Sequence, residues 1–160
     1  MRIKLLILIF FLLLSCSLKK ESKVSYEYKS DYWTDNFDEI KLVMSYVLSS
    51  EDYYKMIKMN DMEKIEFIDN YWMELDPNPN TQNNELLDEL NSRVLESKQL
   101  FSNFDIGLLS DRAKIYIVYG PPNNEHKTYL DNYELITWYY ESGYEFKFIS
   151  DSFGQYKLSN

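Results

Sequence analysis

The spacing of apolar residues changes character near Gly107, and that change restricts the chain to a fold with helices first and strands after. Before it, apolar side chains recur every three or four residues, as one face of a helix requires. Phe37, Ile40, Val43 or Met44, and Val47 share such a face and predict a first helix ending near Leu48. Ser50, with Tyr53 three residues on, reads as the cap of a short second helix through Lys58. Asn60 and Glu63 fit a capping pair, opening a third helix with Ile65, Ile68, Trp72 and Leu75 on one stripe. Asp76-Pro77-Asn78-Pro79 stops it, because a residue before proline is pushed out of the α region. Thr81 reads as the cap of a fourth helix carrying Leu86, Leu87, Leu90, Val94 and Phe101.

Past Gly107 the period drops to two. Ala113, Ile115, Ile117 and Tyr119 alternate with Lys114, Tyr116 and Val118, which predicts a first strand ended by Gly120-Pro121-Pro122. A polar loop from Asn123 to Asn132 is expected next. Strands follow from Tyr133 to Tyr140 and from Tyr144 to Ile149, with a short segment from Gln155 to Leu158. The fold class is α+β: N-terminal helices followed by a three- to four-stranded antiparallel meander, the helices covering one face. A single domain is expected over 35–160, helical over 35–104 and sheet over 112–158.

The start of the chain speaks about location. Met1 to Lys4 is basic, Leu5 to Leu14 is an unbroken apolar run, and Ser15 is a small residue before Cys16. That order is how a signal peptide is built. Ten apolar residues are about half of what a membrane span needs. Leu13-Leu14-Ser15-Cys16 resembles the lipobox of bacterial lipoproteins, in which the cysteine is acylated and becomes the first mature residue. Cys16 is the one cysteine of the sequence, and acylation with palmitate-type chains consumes a thiol that an oxidising compartment would otherwise leave unpaired. Residues 1–15 are therefore expected to be a lipoprotein signal peptide and 16–34 a lipidated tether, although Val24, Tyr26 and Tyr28 alternate as a strand would. Ser17, in place of an aspartate after the cysteine, favours the outer membrane over the inner.

Cleavage before Cys16 leaves 145 residues and, by removing Arg2 and Lys4, takes the net charge from −9 to −11. An acidic surface lacks the basic footprint of a nucleic-acid binder. It is also repelled by anionic headgroups, so the lipid alone must hold the membrane. With 15 Tyr, 9 Phe and 3 Trp against 4 Gly and 4 Pro, the composition is that of a packed domain.

Two stretches resemble a known family. Ile65-Glu66-Phe67-Ile68-Asp69-Asn70-Tyr71-Trp72 with Leu75 to Thr81 is one; Gly107-Leu108-Leu109-Ser110-Asp111-Arg112 running into Ile115 to Pro122, with Trp138-Tyr139-Tyr140, is the other. Together they resemble the bacterial GWxTD-domain proteins over about residues 60 to 158. The signature departs at two positions, with Leu108 at the tryptophan position and Ser110 at the threonine position. Ser110 can still cap as threonine would, whereas Leu108 supplies no indole N–H. The resemblance implies an envelope-associated domain and no particular reaction.

Few residues argue for catalysis. His126, the single histidine, sits in the polar stretch Asn123 to Lys127 and gives no zinc triad. No Gly-x-Ser-x-Gly elbow is present. Glu63, Glu66, Asp69, Glu74 and Asp76 have the spacing of a solvated helix face. Asp76 to Asn80 is rich in oxygen but lacks the calcium-loop order, and reads as a turn between helices. Asp111-Arg112 reads as a latch where the chain enters the sheet, or alternatively as a ligand-binding pair. Pro121 and Pro122 with Trp138 and Tyr140 offer a proline-edged aromatic surface; since Trp138 and Tyr139 point to opposite sheet faces, at least one should be buried.

The expectation is a lipid-anchored envelope domain, not an enzyme, with no cofactor or metal, binding a protein partner through the meander edge or an aromatic patch. The alternative is a small-ligand or cell-wall-fragment binder with a cleft near Asp111, Arg112 and Trp138. A hydrolase comes last, since it needs His126 or two carboxylates converging in such a cleft.

Overall fold

The computed structural model describes residues 37–102 and 106–159. The expected signal peptide, Cys16 and the tether lie outside these residues. Helix α1 spans Phe37–Val47, α2 Ser50–Met56, α3 Asp61–Glu74 and α4 Glu85–Leu100. A single 3-10 turn, Gly107–Leu109, leads into α5, Asp111–Tyr119. The sheet is β1 Asn124–Leu130, β2 Tyr133–Tyr139, β3 Glu145–Ser150 and β4 Tyr156–Leu158, antiparallel throughout in the order β1-β2-β3-β4. Helices then a four-stranded meander is the α+β plan expected.

The capping box of α3 is present as read: Asn60 accepts from the Glu63 amide at 3.0 Å, and Glu63 accepts from the Asn60 amide at 2.9 Å. Two other caps differ. Ser49, one residue before Ser50, caps α2 through the Asp52 amide. Asn84 rather than Thr81 caps α4, because its Oδ1 meets the Leu87 amide while its Nδ2 reaches the Trp72 carbonyl. Asn84 thus fixes the start of one helix against the end of another, which Thr81 is too far upstream to do. Thr81 instead closes the preceding turn on the Asn78 and Asn83 carbonyls. Asp76 Oδ1 accepts from the Asn78 amide at 2.9 Å, so the oxygen-rich stretch is a turn.

The larger correction concerns 113–119, where the structure has a helix instead of a strand. The sheet consequently starts at 124 and not 112. Residues 111–119 lie between two apolar clusters. Ile117 joins Val43, Met44, Trp72, Val94 and Leu108 in the helical cluster. Ala113, Ile115 and Tyr116 join Phe101, Ile136, Trp138 and Phe148 in the sheet cluster. A helix apolar on several sides loses the 3.6-residue stripe and imitates alternation. The stretch from Asn123 to Asn132, read as a loop, is the edge strand β1 and its turn. Six of its seven strand residues are exposed, so burial imposes no pattern on them.

Candidate functional site

The turn Gly107–Asp111 joins the two clusters. Gly107 has φ +60°, a conformation that a side chain disfavours, and no neighbour would crowd a Cβ there. Leu108 is buried in the helical cluster, and its carbonyl accepts from the Tyr46 hydroxyl at 2.8 Å. Ser110 is wholly buried and caps α5 by accepting from the Ala113 amide at 3.0 Å. Asp111 Oδ2 accepts from the Leu158 amide at 2.8 Å, tying the start of α5 to the last strand. Asp111 is thus a latch, but between a helix and β4 rather than at the start of a first strand. Arg112 lies over the Tyr156 ring at 3.9 Å and the Phe101 ring at 5.0 Å.

Beside Arg112 is a cleft of about 390 Å³ lined by Lys127, Glu134, Ser150 and Tyr156 among others. Ser150 Oγ accepts from the Glu134 amide at 2.8 Å, and Lys127 Nζ lies 3.8 Å from Glu134. Burial, then the bond to Glu134, pushes the Tyr156 hydroxyl up to about 12. Asp111 and Trp138 do not line this cleft: one faces β4 and the other is buried in the sheet cluster. His126 is on the far face, since it pairs with Thr137 while the cleft-facing residue beside it is Lys127. A smaller apolar groove of about 250 Å³ lies beside Trp72, Leu75, Leu86 and Arg93.

The proline-edged surface is formed differently from expectation. Gly120-Pro121-Pro122 ends α5 rather than a strand. Gly120 takes φ +79° and ψ −170°, and a Cβ there would meet the Arg93 guanidinium at 3.3 Å. Arg93 closes the helix by donating to the Ile117 and Val118 carbonyls while its Nε bonds Glu89. The Tyr140 hydroxyl donates to the Gly120 carbonyl at 2.9 Å. Of the predicted contacts, Trp138 is buried with its Nε1 donating to Glu125, Tyr140 and Pro122 are half-buried, and Pro121 is exposed.

Around Tyr140 the structure gathers rings the sequence reading passed over. Tyr119 is 5.9 Å from Tyr140, 5.3 Å from Tyr144 and 4.9 Å from Phe146, centroid to centroid. Tyr119 and Tyr144 remain 39% and 54% exposed. They sit at the end of α5 and at the β2–β3 turn; the Tyr140 hydroxyl, donating to the Gly120 carbonyl, holds the two together, and the Tyr140 amide closes the turn on the Tyr144 carbonyl. The clustering of Tyr139, Tyr140 and Tyr144 in the sequence is the available signal; Tyr119 joins them because it ends a helix and not a strand.

With this geometry in view, the chain matches the family model described as GWxTD domain over residues 11–159. It belongs to the GWxTD-domain family. No curated protein and no solved structure matches it. In this GWxTD domain the signature is a structural joint: a left-handed glycine, a core side chain, a helix cap and a latch to β4. Leucine at the second position keeps the packing and leaves the indole donor out. Among the described residues no three His, Cys, Asp or Glu side chains group to hold a metal ion, and no helix is long and apolar enough to cross a membrane.

Proposed function

We propose that this chain is a lipid-anchored cell-envelope protein whose GWxTD domain binds another protein and does not catalyse a reaction. The observation that carries the reading is the aromatic end of the domain. Tyr119 and Tyr144 present partly exposed rings on a base of Tyr140 and Phe146, beside exposed Pro121. Rigid aromatic side chains anchored from below lose little entropy on binding, which is why such rings dominate protein contacts. The anchor rests on Cys16 and the segment before it, and the outer membrane is the favoured location. In-cell crosslinking followed by pull-down is the test: a stable envelope partner is expected, and its absence counts against the reading. Acyl labelling of wild type and Cys16→Ser tests the anchor, since label persisting on the variant excludes acylation at Cys16.

A second reading is supported by the cleft at Arg112, which is large enough for a small polar ligand. Muropeptide fragments titrated against the domain should perturb the Tyr156 and Arg112 resonances if it holds a cell-wall fragment. A single carboxylate, Glu134, lines that cleft, which gives hydrolysis no paired acid there.

A further inference from the structure

We propose that β1 is the contact through which two copies of this chain pair, antiparallel and edge to edge, about a two-fold axis at His126. The sheet order leaves β1 and β4 at its edges. β4 is three residues long, and its Leu158 amide is taken by Asp111. β1 is seven residues long, and among the described residues no strand pairs with its far side.

Which backbone groups of β1 face outward follows from β2. The Tyr140 amide donates to the Tyr144 carbonyl and the Glu134 amide to Ser150 Oγ, so even-numbered residues of β2 turn toward β3. The Tyr139 carbonyl accepts from the Asn123 amide, so odd-numbered ones turn toward β1. In the register Leu130↔Tyr133 to Asn124↔Tyr139, the residues of β1 that complete the ladder are Asn124, His126, Thr128 and Leu130. Glu125, Lys127 and Tyr129 turn their N–H and C=O groups outward, and such an edge is a template for another strand.

The outward residues select the partner. A two-fold pairing centred on Lys127 sets Lys127 against its own copy, and like charges directly opposite are destabilising. Centring on Thr128 sets Lys127 against Tyr129 and forms no charge pair. Centring on His126 sets Glu125 against Lys127 of the second copy and Lys127 against its Glu125, so both pairs attract. The Glu125 carboxylate is already held in place: Trp138 Nε1 donates to it at 2.8 Å, and Lys127 Nζ lies 3.4 Å away. Both side chains remain accessible, at 38% and 51% exposure. The net charge of −9 on each copy opposes association, so the backbone ladder and these local pairs must supply it.

Sedimentation velocity on the full chain in detergent tests the pairing. Wild type should be dimeric. Glu125→Lys and Lys127→Glu each turn two attractive pairs into repulsive ones and should weaken association roughly tenfold or more, while the double swap restores it. Lys127→Glu decides the matter if Glu125→Lys, which removes the Trp138 acceptor, fails to fold by circular dichroism. Register is read by oxidation. Opposed residues in a non-hydrogen-bonded pair have Cα atoms about 4.5 Å apart, within disulfide reach. His126→Cys should crosslink to itself and Thr128→Cys should not, with wild type, whose cysteine is Cys16, as the blank. A monomeric wild type, association unchanged in Lys127→Glu, a double swap that fails to restore it, or crosslinking through Thr128→Cys alone overturns the proposal.

Discussion

Ser110 has no exposed surface, yet its hydroxyl does the work of a surface cap, because α5 begins inside the molecule. Truncating it leaves the Ala113 amide buried with no acceptor, so Ser110→Ala should cost about 1–2 kcal/mol in urea denaturation. Gly120 makes the matching statement at the other end of the helix. Its φ of +79° with ψ −170° lies where a side chain is strained, and a Cβ would press on the Arg93 guanidinium at 3.3 Å, which its bonds to the helix end hold in place. Gly120→Ala should therefore lose about 1–3 kcal/mol, read by the same unfolding experiment. Both residues lie in motifs visible in the sequence. Their neighbours were not: Arg93 is 24 residues from the Ile117 carbonyl it holds, and no local pattern announces such a bond.

Helix α4 carries its own signature of conflict. Asn91 is buried, and neither its Oδ1 nor its Nδ2 has a hydrogen-bond partner among the described residues. Desolvating an amide without compensation is costly, and an apolar group of similar volume avoids the penalty. Asn91→Leu should raise the urea midpoint, by about 1 kcal/mol in stability; a fall would show that the amide is satisfied in solution. The elements also mark where sequence reasoning succeeds. Helix α3 was legible because the Asn60–Glu63 box and the proline turn bracket it. Ile68 and Trp72 of its stripe are buried, while Ile65 and Leu75 stay exposed. β3 was legible because its buried and exposed residues alternate, and β2, in which Ile136, Thr137 and Trp138 are all buried, because its β-branched and aromatic run is bounded by turns. Helix α5 and strand β1 were not, for opposite reasons. One is buried on too many sides to show a helical stripe, and the other is exposed on too many to show any pattern.

Across the whole molecule, partly buried tyrosine hydroxyls set how the protein should respond to base. Burial pushes the Tyr46 hydroxyl up to about 12 and does the same for Tyr116 and Tyr156, and it raises Tyr140 as well. Below about pH 10 these hydroxyls are protonated in both states, and stability does not depend on them. Above it the unfolded chain ionises while the folded one resists, so stability is lost as pH rises toward about 12. Urea midpoints should fall across that window together with the appearance of tyrosinate absorbance; a flat profile would mean the rings are open to solvent. Tyr140 belongs also to the aromatic end of the domain, under Tyr119 and beside Phe146, where we propose that another protein binds. A photo-crosslinking residue introduced at Tyr144 tests it against one at Met62, which is 82% exposed on α3. In intact cells the first should yield a discrete envelope adduct and the second none; an adduct through position 62 and not 144 would contradict the account.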